Sequence, residues 1–61
     1  MITEDEAMEI AKREFAAEIK DGGWPTLFGY SDHWIANCTY PGSGGKKSRT
    51  IRINFDGNVR G

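Results

Sequence analysis

Glu14 and Glu18 stand four apart, the spacing at which two carboxylates share one face of a helix. Acid–base chemistry uses such a pair when its surroundings drive the two pKa values apart. Lys12, Arg13 and Lys20 stand close enough to relieve the repulsion, so the pair reads as a solvated helix edge. His33 and Cys38 offer a second pairing, a base beside a thiol nucleophile. They are five apart in an alternating stretch, and an odd separation on a strand sends them to opposite faces. Cys38 then reads as a small core residue, and His33 as a surface residue flanking a turn. Gly42, Gly44 and Gly45 around Ser43 have the composition of a phosphate cradle. Such a cradle needs a helix N-terminus after it, and a strand follows instead, so the segment reads as a hairpin loop. Ser31, Ser43 and Ser48 have no base placed near them by spacing. One His and one Cys cannot build a structural zinc site, and no metal or cofactor is expected. One helix on a small sheet rarely encloses the roughly 300 Å³ of a ligand pocket. No catalytic residue is assigned, and no enzymatic activity is expected.

The elements that carry these residues are legible. Thr3 followed by Glu6 is a capping box, with Ile2 and Ala7 at the positions of a hydrophobic staple. Glu4, Asp5 and Glu6 complement the positive end of the helix dipole and Lys20 the negative end. Asp21-Gly22-Gly23 stops the helix, with Gly22 or Gly23 taking a left-handed conformation. Ala7, Met8, Ala11, Phe15 and Ile19 form an apolar stripe, widened by Ile10 and Ala17. A helix from residue 3 or 4 to 20 is expected. Trp24 is biased to extended backbone by Pro25, and residues 26–30 form at most a short edge strand because Gly29 weakens it. His33 to Tyr40 alternates as a strand, 41–45 is a flexible loop, and Ser48 to Phe55 is the clearest strand. Asp56-Gly57 marks a turn, and residues 58–60 add at most half a strand. The fold class is α+β: one domain over residues 1–61, with an N-terminal helix packed on a two- to three-stranded antiparallel meander. The expected core is Ala7, Met8, Ala11, Phe15, Ile19, Trp34, Ala36, Ile51, Ile53 and Phe55.

Charge follows the same division. Residues 1–32 carry eight acidic and three basic side chains, a net of −5, and residues 33–61 carry five basic and one acidic, a net of +4. The sum is the −1 of the chain, too close to neutral for a general nucleic-acid or membrane binder. No run approaches the roughly 20 apolar residues of a membrane span. The acidic N-terminus lacks the basic and apolar regions of an export signal, so a cytoplasmic, disulfide-free domain is expected. On the same ground Asn37-Cys38-Thr39, which has the form of a glycosylation site, reads as chance.

Two features remain for function. Six of seven aromatic residues, Trp24, Phe28, Tyr30, Trp34, Tyr40 and Phe55, belong to the sheet half. One helix covers one sheet face, so some of these rings stay exposed, as interface aromatics do. Lys46, Lys47, Arg49 and Arg52 form a basic set that suits an acidic protein or a nucleic-acid backbone. Charge balance with the helix and protection of an edge strand explain the same residues without a ligand. The partner-binding candidates are Trp24, Tyr30, Tyr40, Lys46, Lys47, Arg49 and Arg52, with Trp24, Tyr30, Tyr40 and Arg52 expected on the open sheet face and the loops flanking it.

The order of motifs resembles known families. Ile2-Thr3-Glu4-Asp5-Glu6-Ala7-Met8-Glu9-Ile10-Ala11 is similar to the opening helix of PepSY-type domains and of a group of small bacterial immunity proteins with a cystatin-like helix-on-sheet layout. Thr50-Ile51-Arg52-Ile53-Asn54-Phe55-Asp56-Gly57-Asn58-Val59 resembles their closing strand, and His33-Trp34-Ile35 with Gly44-Gly45 resembles a motif of the immunity-type members. The resemblance implies a helix-on-sheet fold and a binding or inhibitory role, and it transfers no active-site residue. PepSY-type domains usually lie outside the cytoplasm, and the immunity proteins are usually longer.

The reading is a non-catalytic protein-binding module, an inhibitor or immunity-type protein that occludes a partner with an acidic contact surface. The alternatives are a nucleic-acid-contacting protein using the basic hairpin, a phage or mobile-element protein blocking a host defence complex, and a self-associating domain that forms a homodimer.

Overall fold

The structure, a computed structural model, describes residues 1–61. Helix α1 spans Glu4–Glu14 and α2 spans Ala16–Lys20, so the expected helix is present but interrupted at Phe15 (φ −98°, ψ 18°). The capping box is formed: Thr3 Oγ1 accepts from the Glu6 N–H at 3.2 Å, and Glu6 Oε1 accepts from the Thr3 N–H at 3.1 Å. The Ile2 N–H donates to the Phe55 carbonyl at 3.0 Å, which ties the start of the helix to the sheet. At the other end Gly22 N–H donates to Ile19 and Gly23 N–H to Glu18, at 3.0 and 2.9 Å. This is a Schellman ending, and Gly22 (φ +99°) takes its left-handed position.

The interruption coincides with a contact made from the sheet. Phe15 is fully buried, and Arg49 reaches across from the sheet to donate a 2.8 Å hydrogen bond to the carbonyl of Glu14, the last residue of α1. A side chain that takes a helix carbonyl from outside competes with the i→i−4 ladder and bends it.

Four antiparallel strands follow: β1 (Trp24–Gly29), β2 (His33–Gly42), β3 (Gly45–Asn54) and β4 (Val59–Arg60), in the spatial order β1-β2-β3-β4. That is one strand more than the two to three expected. Gly29, which weakened the expectation for β1, and Pro25 are tolerated there because it is an edge strand. Gly29 has a packing reason too: a Cβ on it would stand 2.8 Å from the Trp34 ring. The expected flexible loop at 41–45 is a correction. β2 and β3 run to the Gly42↔Gly45 pair, leaving only Ser43 and Gly44 as a tight turn. Gly44 (φ +86°) and Gly45 (φ +132°) supply backbone that other residues avoid. The result is a hairpin of two ten-residue strands instead of an adaptable loop.

The core lies between helix and sheet. Ala7, Ala11, Phe15, Ala36, Cys38, Ile51 and Ile53 are buried, with Ile2, Met8, Ile10, Ile19, Leu27, Trp34 and Val59 packed around them. Every expected core residue is buried or half-buried; Phe55 is half-buried, tilted against Trp34 at 6.0 Å.

Candidate functional site

Strand register sorts the side chains into two faces. Ala36 and Ile51 are paired and buried, and so mark the helix side; Leu27 shares it through its pairing with Ala36. Alternation adds Trp34, Cys38, Tyr40, Lys47 and Arg49 to that side. The other side, which no element covers, carries Trp24, Thr26 and Phe28 from β1 and His33, Ile35, Asn37 and Thr39 from β2. β3 contributes Lys46, Ser48, Thr50, Arg52 and Asn54, and β4 contributes Arg60.

This open face is aromatic and basic. Trp24 is 50% exposed, Phe28 54% and, in the turn between β1 and β2, Tyr30 56%. Lys46 Nζ lies 5.7 Å from the Trp24 ring centroid, within cation–π range. Lys46, Arg52 and Arg60 are its cations, and none of its strand residues is a carboxylate. Arg52 Nε donates to Asn54 Oδ1 at 2.9 Å, and Asn37 Nδ2 donates to Thr50 Oγ1 at 3.1 Å, so the polar centre of the face is held in place.

One carboxylate beside this face is Asp32. His33 Nδ1 donates to it, the His33 ring stacks on Tyr30 (4.9 Å, 9°), and Arg52 approaches at 4.0 Å. The hydrogen bond from His33, helped by the charges of His33 and Arg52, holds the Asp32 carboxyl below the ordinary carboxylate range. The cluster organises the turn that displays Tyr30.

The seven sequence candidates therefore separate. Trp24, Lys46 and Arg52 share the open face, and Tyr30 stands at its rim. Tyr40, Lys47 and Arg49 belong to the helix side, a correction for Tyr40, which was expected beside the open face. Arg49 is committed to the helix: besides Glu14 it pairs with Glu18 at 3.4 Å and lies over the Phe15 ring at 5.0 Å. Glu18 is only 13% exposed and faces Arg49, whereas Glu14 is exposed, so the two carboxylates do not form a common site. Cys38 is buried on the helix side and His33 faces the other way; burial and the nearby Glu18 push the Cys38 thiol up. Phe28, Ile35 and Arg60 belong to the open face and were missed. The signal for Phe28 was its even spacing from Trp24, hidden by the weak strand reading of 26–30.

An open depression also runs along α1, lined by Asp5, Glu6, Glu9, Ile10 and Arg13. No group of three or more His, Cys, Asp or Glu side chains is placed to hold a metal ion. No helix is long and apolar enough to cross a membrane. In comparisons with known proteins, no family model, curated protein or solved structure matches the chain.

Proposed function

We propose that this chain is a non-catalytic protein-binding module whose open sheet face docks on an acidic surface of a partner and occludes it. The observation that carries the reading is the conjunction on one uncovered face of half-exposed Trp24 and Phe28 with Lys46, Arg52 and Arg60. Trp and Arg dominate interface hot spots, and a cationic face without carboxylates complements an acidic partner. The acidic outer face of α1 is the opposite kind of surface, rich in the charges that interface centres exclude. An inhibitor or immunity-type role is the form of this function that the resemblance to PepSY-type domains and small bacterial immunity proteins implies.

A second reading is favoured by Lys46 over Trp24: an aromatic ring with an adjacent cation is also a platform for a stacked base and its phosphate. Two measurements separate the readings. Capture of a partner from the native cell should be lost with the double variant Trp24→Ala/Arg52→Glu and retained with Glu9→Lys/Lys12→Glu. Short single-stranded and duplex oligonucleotides should bind negligibly. Micromolar oligonucleotide affinity, falling linearly on a log–log salt plot, would overturn the protein-binding reading in favour of nucleic acid.

A further inference from the structure

Hydrogen-bond parity shows what the outer edge of β1 offers. The Tyr30 N–H donates to the His33 carbonyl at 2.9 Å, which makes Tyr30 and His33 a hydrogen-bonded pair. In an antiparallel ladder such pairs alternate with pairs whose backbone groups point away. Phe28↔Ile35, Thr26↔Asn37 and Trp24↔Thr39 are therefore bonded to β2, while Pro25, Leu27 and Gly29 aim their backbone groups outward. Pro25, the residue with no N–H, falls at an outward position, where the ladder to β2 loses nothing. The free edge presents the N–H groups of Leu27 and Gly29 and the carbonyls of Pro25, Leu27 and Gly29.

The two edges of the sheet differ in protection. Where β3 extends beyond the two-residue β4, its open edge is studded with Lys46, Lys47 and Arg49, the usual defence against strand addition. The β1 sequence Trp24-Pro25-Thr26-Leu27-Phe28-Gly29 has no charge at all.

We infer that β1 pairs with β1 of a second copy of this chain, giving a two-fold dimer with one continuous eight-stranded sheet. The edge is self-complementary about Leu27. With Leu27 opposite its own equivalent, each Leu27 N–H meets the other Leu27 carbonyl, and each Gly29 N–H meets a Pro25 carbonyl. The only donor missing is that of Pro25, so four hydrogen bonds form symmetrically. The contact is isologous and closes on itself, which limits assembly to two copies. Thr26 faces the second copy's Phe28 on the open side, so both pairs of Trp24 and Phe28 join into one aromatic band. The two-fold axis stands perpendicular to the sheet, keeping both helices on the same side and both open faces contiguous. The dimer does not depend on what that face binds.

The test is sedimentation together with amide exchange on the unmodified chain from about 10 µM to about 1 mM, the range expected for a small edge contact. The mass should rise from the 6.8 kDa of one chain toward twice that value. The Leu27 and Gly29 amides should exchange at least about tenfold more slowly at the high concentration, while Ser48 and Thr50, outward-facing on the β3 edge, stay unchanged. The double variant Thr26→Lys/Phe28→Lys sets like charges opposite each other across the two-fold and should remain monomeric. The inference is overturned by a chain that stays monomeric throughout, by protection of Ser48 and Thr50 instead, or by a double variant that still dimerises.

Discussion

Arg49 Nη2 donates to the carbonyl of Glu14 at 2.8 Å, joining the middle of the helical segment to the exposed part of β3 across 35 residues. The same guanidinium lies over the Phe15 ring and pairs with Glu18. Three short-range functions thus meet in one planar group, which a lysine cannot reproduce. Arg49→Ala should cost about 1–2 kcal/mol, chiefly from the deprived helix carbonyl and the half-buried Glu18 left unpaired. Arg49→Lys should recover less than half of that. Chemical denaturation of both variants measures it, and wild-type stability in Arg49→Ala would show that the interruption at Phe15 needs no support from the sheet.

Gly22 and Gly23 are demanded for different reasons. Gly22 needs a left-handed backbone, so Gly22→Ala should cost about 1–2 kcal/mol through conformation alone. Gly23 has ordinary dihedrals but no room: a Cβ would lie 2.7 Å from the Glu18 carbonyl, 2.9 Å from Tyr40 Cβ and 3.0 Å from the Thr39 carbonyl. Two of those neighbours are backbone, so Gly23→Ala should cost more, about 2–3 kcal/mol, by forcing the helix end away from β2. Thermal melts that rank the two variants in the opposite order would contradict this account.

What could be read in advance was what sequence encodes locally. The Thr3–Glu6 box, the glycine stop and the alternation of Trp34 to Tyr40 each depend on residues a few positions apart, and each is present. The division at Phe15 was illegible because the contact that coincides with it comes from Arg49, far along the chain. The turn at Ser43-Gly44 was mistaken for a loop because glycine-rich composition describes both a flexible segment and a tight turn with left-handed backbone. At the candidate site, Trp24, Tyr30, Lys46 and Arg52 came from residue type alone. Tyr40 was misplaced although its parity with Ala36 and Cys38 already set it on the helix side. Phe28 was lost because a single glycine lowered the reading of the strand that displays it.

Asp32 should leave a trace in the pH dependence of stability. Its folded carboxyl is held below its ordinary value of 3.8, above all by the hydrogen bond from His33. A depressed carboxylate stabilises the fold above its unfolded value and loses that contribution as pH falls through the folded one. The melting difference between the parent and Asp32→Asn should therefore be small above the ordinary Asp range and close below about pH 4. A difference that persists unchanged into acid would mean that Asp32 acts through shape and not charge.

Cys38 is wholly buried, and its thiol is raised by desolvation and by Glu18. Both deny a reagent the thiolate it needs. A thiol-reactive probe at neutral pH should label Cys38 only through opening of the sheet, at a rate that rises with denaturant in step with unfolding. Rapid labelling under native conditions would place Cys38 at an accessible surface and contradict its position between helix and sheet.

The open face and the helix side make opposite demands on a binding experiment with the captured partner. Trp24→Ala and Arg52→Glu each remove a hot-spot type from the uncovered face and should weaken binding by more than about 1 kcal/mol, mostly through faster dissociation. Phe28→Ala should do the same, because it is as exposed as Trp24 and lies between Thr26 and the rim. Lys46→Glu should act on association first, since a reversed charge at a face edge alters steering more than contact, and its effect should shrink as salt rises. Tyr40→Ala and Glu9→Lys/Lys12→Glu should bind as the parent does, for Tyr40 belongs to the helix side and Glu9 and Lys12 to the outer helix. If the helix variants abolish binding and the sheet variants leave it intact, the acidic face of α1 is the recognition surface. The module would then act by presenting carboxylates to a basic partner.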